Sequence, residues 1–277
     1  MRIDLHSHST VSDGTDTPED LVALARSIGL DVLAITDHDT FDHLPAARAA
    51  ARREGVELLD GMEMSCEFGG KSVHVVAYGM DPADPTLSTE LTRIRAGRDE
   101  RLPTMLAKLE ELGVPVSAAE VLAQVGEAPS IGRPHVADAL VARGHVADRD
   151  EAFQRFLFDG GPAYVERYHP DVRTGIELIH GAGGLALIAH PWGRSSAGVL
   201  TEDVLTSLVR DHGLDGFEVD HEDHDPDQRA RLRALADELG ALGTGSSDHH
   251  GTGKPHMQLG CNLTAPDVYA DLVRRLG

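Results

Sequence analysis

The chain has 277 residues, 41% apolar and 26% charged, a balance that suits a packed core and excludes disorder as its main state. Acidic residues number 46 against 25 basic ones, and the net charge of −21 argues against wrapping duplex nucleic acid, where lysine and arginine must neutralise phosphates. No apolar run approaches the roughly 20 residues that span a bilayer, and the start Met1-Arg2-Ile3-Asp4 lacks the apolar stretch of a signal peptide, so a cytoplasmic protein is expected.

Cys66 and Cys261 have no CxxC partner, which excludes a disulfide framework or a thiolate zinc site, and each is expected to be a small buried hydrophobe. Sixteen histidines are the first hint of metal chemistry.

In chain order, Arg2–His6 reads as a short strand, and Thr17-Pro18 as an N-cap with proline at the first helical position, opening a helix to about Ile28. Asp31–Thr36 is an apolar run of strand length. A helix over Leu44–Glu54 precedes strands at Val56–Glu63 and Lys71–Tyr78, joined by a Gly69-Gly70 turn. After the breaker cluster Asp81–Pro85 the pattern is helical from Ser88 to about Phe158. Residues 81–165 are therefore expected to form a helical insert between two parts of one barrel domain, 1–80 and 166–277. Strand and helix signals then alternate again. Strands are expected at Leu185–His190, Gly216–Asp220 and Ala241–Ser247, and helices at Val172–His180, Glu202–His212, Asp227–Leu239 and Pro266–Leu276. Repeated βα units imply a parallel sheet, open or closed.

Histidines and acids recur where these strands stop. His6 and His8 end the first, Asp13 follows it, and Asp37-His38 follows the second. Glu63 sits near the end of the third and His74 lies in the fourth. His190, His221 with His224, and Asp248-His249-His250 mark the last three. Strand ends of a barrel converge on one face, and residues i and i+2 of a strand share a side, so His6 and His8 can grip one cation. Unrelated histidines on seven loops would not explain why charged groups recur where apolar strands stop. Imidazole and carboxylate without thiolate suit zinc, manganese or iron, and nine donors are enough for two or three ions. Clustered cations in turn suit phosphate chemistry.

The residues His6-Ser7-His8 with Asp13-Gly14, Thr36-Asp37-His38-Asp39, Gly61-Met62-Glu63, His74, Ala189-His190-Pro191 and Ser247-Asp248-His249-His250-Gly251 resemble the motifs of the PHP (polymerase and histidinol phosphatase) family. The resemblance runs nearly end to end and implies an α/β fold, a distorted (β/α)7 TIM-like barrel, with a trinuclear site at the strand C-termini. Carried over by position, it implies a first ion on His6, His8, Glu63 and Asp248. Glu63 would bridge to a second on His74 and His190, and Asp13, His38 and His250 would hold a third. Many relatives carry histidine where Asp13 stands, and a carboxylate there is expected to favour a harder metal or weaker occupancy of the third site. Asp37 is expected to orient a histidine, and His249 to face away.

The insert carries Ile131-Gly132-Arg133-Pro134-His135, which with Pro162-Ala163-Tyr164-Val165 resembles the branch of the family that removes the 3′-phosphate from nucleoside 3′,5′-bisphosphates. Some of its members also trim short RNA from the 5′ end. Arg133 offers a planar fork for phosphate with His135 beside it, and Lys254, His221 and His224 are further candidate substrate contacts.

The function implied is a metal-dependent phosphoesterase without a side-chain nucleophile, in which a metal-bridged hydroxide attacks phosphorus in line and His224 or His135 is a candidate acid for the leaving alkoxide. The expected substrate is a small phosphorylated nucleotide or short single-stranded RNA, and the protein is expected to be a monomer that binds neither duplex nor membrane. Three alternatives share parts of the pattern: histidinol-phosphate phosphatase, a C–N bond hydrolase, and a non-catalytic metal-binding scaffold.

Overall fold

The computed structural model describes residues 1–126 and 128–277. Seven strands form one sheet in sequential order: β1 (Ile3–Asp4), β2 (Val32–Ile35), β3 (Glu57–Phe68), β4 (Lys71–Tyr78), β5 (Leu185–Ile188), β6 (Gly216–Asp220) and β7 (Leu242–Gly245). The sheet nearly closes into a barrel, with Asp248 N–H donating to the His6 carbonyl (2.9 Å) and His8 N–H to that of His249 (2.8 Å). Tyr78 adds a buried bond from its hydroxyl to the Leu5 carbonyl (2.9 Å).

The sheet is not all parallel. β4 runs antiparallel to both β3 and β5, because Gly69 and Gly70, both at positive φ (59° and 73°), turn the chain straight back where a crossover helix would otherwise stand. β3 also runs five residues beyond its expected end at Glu63, since its far half is paired with β4. The reversal places the beginning of β4, with His74, at the end of the barrel where the parallel strands finish.

Helices α1 (Pro18–Ser27), α2 (Leu44–Glu54), α7 (Val172–Gly181), α8 (Glu202–His212), α9 (Pro226–Leu239) and α10 (Pro266–Leu276) surround the sheet. Their starts follow local chemistry. The Thr17 side chain accepts from Asp20 N–H, and Asp225 with Gln228 makes a reciprocal capping box. Between β4 and α7 lie α3 (Pro85–Glu111), α4 (Ala118–Val125), α5 (Arg133–Ala142) and α6 (Arg149–Ala152), the last continuing into a π-helical turn at Phe153–Leu157. Leu87, Leu91 and Ile94 of α3 belong to the large apolar cluster of the barrel. Leu102, Met105 and Leu109 belong to a separate one with Val121, Val136, Leu140 and Leu157. The change of core thus falls inside one continuous helix and not at a loop near residue 81.

Cys66 is buried as expected. Cys261 is exposed instead, because it sits in the turn after Gly260, outside any element. No helix among the described residues is long and apolar enough to cross a membrane.

Candidate active site

The nine side chains expected as ligands converge on one pocket at the end of the barrel where the parallel strands finish. Most are buried outright. His38 and His74 keep 10% and 21% side-chain exposure and mark the mouth. Two of the backbones are in the left-handed region, His190 (φ 30°) and Asp248 (φ 51°), as befits residues held in place by their surroundings.

Among the described residues, ligand atoms gather within 4.8 Å of one another in three groups: His6, His8 and Asp248; His38, Glu63 and His74; and His8, Asp13, His38 and His250. Glu63 is the hub. Its Oε1 lies 3.0 Å from His74 Nδ1, 3.4 Å from His6 Nε2 and 3.5 Å from His190 Nε2, while its Oε2 lies 2.9 Å from His38 Nδ1 and 3.3 Å from His8 Nε2. The grouping differs from the expected one in that His38 stands with Glu63 and His74 as well as with Asp13, and His190 approaches only through Glu63. Asp248 Oδ1 is 3.3 Å from both His6 Nε2 and His8 Nε2.

These contacts are poor hydrogen bonds and good coordination spheres. Both oxygens of Glu63, Oδ1 of Asp248, and Nδ1 of His38, His74 and His190 are buried without a hydrogen-bond partner, an expensive arrangement for the protein alone. Cations between them would satisfy the Glu63 and Asp248 oxygens and the Nδ1 atoms of His38 and His74, and the nitrogen and oxygen donor set suits a borderline or hard divalent metal. The residues therefore fit the group.

Charge tells the same story. Burial alone would push the Asp13 and Glu63 carboxyls up, yet the surrounding imidazoles hold both well below the usual range. Burial holds His190 and His250 down to about 3, aided by Arg194 and Lys254 respectively, so both rings are neutral, as a metal ligand must be. His8 goes the other way: burial opposes a proton there, but Asp248 and Glu63 raise it to about 9. The surplus negative charge that keeps a proton on His8 also attracts a metal ion.

The supporting residues include several the sequence reading passed over. Glu218, buried in β6, accepts from His6 Nδ1 (2.9 Å) and from His190 N–H (2.8 Å), fixing two rings or their backbones at once. A carboxylate between Phe217 and Val219 in an apolar strand was the available signal. Arg194 pairs with Asp223 and Asp248 and donates to His190 Nε2 (3.3 Å). Asp37 braces the loop after β1 by accepting from Ser9 N–H (2.8 Å) and from the Ser9 and Ser12 hydroxyls (both 2.6 Å). The imidazole nearest to it is that of buried His43, at 3.1 Å. His249 turns away, toward the Met257 carbonyl and Asp16.

Of the expected substrate contacts, Lys254 lies in the pocket, its Nζ 3.2 Å from Asp248 Oδ2. His221 is fully buried. Its Nδ1 accepts from Asp223 N–H (3.1 Å), so its proton sits on Nε2, which has no hydrogen-bond partner and is 3.7 Å from Asp248 Oδ2. The two candidate acids fare differently. His135 Nδ1 accepts from Gly132 N–H (3.0 Å) and its Nε2 donates to the Ser12 carbonyl (2.9 Å). His224 Nδ1 donates to the Val219 carbonyl (3.0 Å) and its Nε2 accepts from Trp192 N–H (3.3 Å). With both nitrogens spent on the backbone, neither ring has a proton to deliver. Arg133 Nη1 is spent on Asp159 and on the Leu157 carbonyl.

A row of arginines lies where the insert meets the pocket. Arg98 ion-pairs with Asp39, next to His38, and bonds the hydroxyl of Ser65, the residue paired with His74 across the β3–β4 ladder. Arg101 is only 8% exposed and makes no hydrogen bond or ion pair among the described residues. Burial, then Arg167, Arg133 and Arg98, push it well below the usual arginine range. Arg167 is likewise lowered to about 9, by burial and Arg98. His169, held down to about 3 by burial and Arg167, lies near Arg167, Arg98 and His74.

A seven-stranded barrel with helices around it and a cation-seeking pocket at its mouth defines a class, the metal-dependent phosphoesterases of the PHP family, and the chain belongs to that family. The PHP domain model matches residues 4–113. A 3′,5′-nucleoside bisphosphate phosphatase of Chromobacterium violaceum is 35% identical over 274 residues, covering 99% of this chain and 96% of its own. A 5′-3′ exoribonuclease of Haemophilus influenzae is 37% identical over 251 residues, 90% of each chain. The crystal structure of a Bifidobacterium adolescentis protein described as a metal-dependent phosphoesterase superposes with a TM-score of 0.94 at 38% identity, covering 99% and 96% of the two chains. This chain is thus a phosphoric ester hydrolase that depends on metal.

Proposed function

We propose that the enzyme removes the 3′-phosphate of nucleoside 3′,5′-bisphosphates, leaving the 5′-nucleotide. The observation that carries this reading is the buried arginine row beside the metal-type pocket. Arg101 is a buried cation with no carboxylate paired to it among the described residues, the half-buried Arg167 stands near it, and a second phosphate of the substrate is the anion that suits them. A substrate with one phosphate would leave that cost unrelieved. The Chromobacterium relative supports the same substrate class.

In this reading His6, His8, Asp13, His38, Glu63, His74, His190, Asp248 and His250 hold two or three divalent cations. When bound, these supply Lewis-acid charge to the phosphoryl oxygens and lower the pKa of water. Glu218 keeps His6 in one tautomer. Arg194 and Lys254 neutralise Asp248 Oδ2 and face an entering phosphate with positive charge. His221, the buried ring with a free Nε2–H, is the donor for a phosphate or leaving-group oxygen in place of His224 and His135. Arg101 of the helical insert and Arg167, two residues past its end, supply the second phosphate contact, with Arg133 nearby.

The Haemophilus relative favours a second reading, removal of nucleotides from the 5′ end of short RNA, in which the arginine row takes the phosphate of the neighbouring nucleotide. One experiment tests both. Adenosine 3′,5′-bisphosphate and a short 5′-phosphorylated RNA are each incubated with Mn²⁺, with and without chelator, and the products identified. Chelator-sensitive release of phosphate yielding 5′-AMP is the expected result. Absence of release with any divalent metal would sink the nucleotidase reading, and histidinol phosphate would then be the substrate to try.

A further inference from the structure

We propose that Arg149, on the helical insert, is a positioning residue for the group His8, Asp13, His38 and His250, and that the insert thereby sets how tightly this group holds its cation. The inference rests on reading those four side chains as cation ligands.

Arg149 opens α6, and its side chain is 12% exposed. One edge of the guanidinium is fixed by both oxygens of Asp138 on α5, with Nε and Nη2 each at 2.6 Å. The remaining nitrogen, Nη1, donates to the Asp13 carbonyl at 2.9 Å. The same nitrogen lies against Gly253, where an added Cβ would stand 2.1 Å away. A single planar group, locked by a two-point ion pair, therefore touches both the loop that carries Asp13 and the loop that follows His250. Those loops belong to opposite ends of the chain and meet also through Thr15, which bonds Thr252 and the His250 carbonyl, and through His249 and Asp16. The adjacent carbonyl, that of Ser12, is held by His135 of α5 at 2.9 Å, so two successive carbonyls of the Asp13 loop hang from the insert.

The other two groups differ. His6, Glu63, His74 and Asp248 stand on or directly beside barrel strands, and among the described residues no hydrogen bond ties their backbones to α5 or α6. A coordination sphere tolerates only about 0.5 Å of misplacement, and loss of an orienting partner costs about 10–100-fold in metal affinity. Loosening Arg149 should therefore weaken one cation and leave the rest untouched.

The test is Mn²⁺ binding by equilibrium dialysis with metal analysis, on wild type, Arg149→Met, Gly253→Ala and the reference Asp13→Asn, with circular dichroism as the check on folding. Asp13→Asn is expected to bind one ion fewer than wild type. Arg149→Met should reach the wild-type number at high Mn²⁺, with the weakest dissociation constant raised about 10–100-fold and the tighter ones unchanged. Its kcat should recover with added Mn²⁺ while KM at saturating metal stays at the wild-type value. Gly253→Ala, whose methyl displaces the guanidinium, should do the same and carries the test should Arg149→Met fail to fold. An unchanged weakest constant, or equal weakening of every ion, would overturn the proposal. If Asp13→Asn binds as many ions as wild type, the ligand reading itself fails, and the positioning role falls with it for that separate reason.

Discussion

Replacing Arg167 by methionine should make the protein more stable and a poorer bisphosphatase. The guanidinium sits among Arg98 and Arg133, and its pKa falls from the ordinary 12.5 to about 9, first through burial and then through Arg98. At 1.36 kcal/mol per pKa unit that drop sets a ceiling of about 5 kcal/mol. The side chain keeps partial access to water, and buried charges replaced by apolar groups return about 1–4 kcal/mol, so we expect about 1–3 kcal/mol. For a chain of this size that is roughly 2–6 °C in melting temperature at pH 7. The sign follows from linkage. At pH 7 both folded and unfolded chains hold the proton, and the native state carries the full cost. Between pH 9 and 12.5 the unfolded chain binds more protons, so wild-type stability rises relative to the variant and the gap narrows above pH 9. On the functional side, loss of one charge-assisted hydrogen bond, about 1.5–3 kcal/mol, should lower kcat/KM for adenosine 3′,5′-bisphosphate about 10–150-fold and leave the 3′-monophosphate unaffected. Thermal melts from pH 7 to 10 and kinetics on the two substrates decide it. A variant that melts lower than wild type at every pH, or that loses both substrates equally, would refute the reasoning.

Removing metal should destabilise the fold, because Asp13, Glu63, Glu218 and Asp248 place four buried carboxylates in one pocket; each site refilled at 100 times its dissociation constant should restore about 2.7 kcal/mol, read as the melting-temperature rise when Mn²⁺ follows chelation. Glu63→Ala and Asp248→Ala should each cut turnover by about 10³-fold or more with an unchanged circular dichroism spectrum, and full activity at saturating Mn²⁺ would remove those residues from the site. Glu218→Gln should weaken metal binding about 10–100-fold, since a neutral amide supports His6 Nδ1–H less well; dialysis showing wild-type affinity would count against the orienting role.

Much of this molecule was legible from side-chain periodicity and strand-end chemistry. Helices such as Leu44–Glu54 and Glu202–His212 fall where their residue patterns put them, and the family follows from motifs that the fold brings together. What escaped were relations between distant segments. Glu218 lies on a strand read correctly as a strand, but its partner His6 is 212 residues away, and no local pattern pairs them. The failure of His135 and His224 as acids has the same origin: which nitrogen of an imidazole is free depends on backbone groups that only the folded chain brings near. Apart from Arg133, the arginine row was invisible for another reason. Arg98, Arg101 and Arg167 are scattered among many surface-type charges, and only their packing in the folded chain sets them apart.

The seam that closes the barrel has a consequence for how the enzyme comes into being. Residues 4 and 247, joined there by a hydrogen bond, are 243 positions apart, and the pocket draws His6 and His8 from one side of the seam and Asp248 and His250 from the other. During synthesis the first two imidazoles leave the ribosome long before the carboxylate that completes their group exists. A growing chain therefore carries only two of the three members of that group, and an ion held there by all three would certify that the last βα unit has docked. Metal capture by that group would then be a late checkpoint on assembly, and a chain cut short before Asp248 would lack the backbone bonds from Asp248 and His249 that help close the barrel.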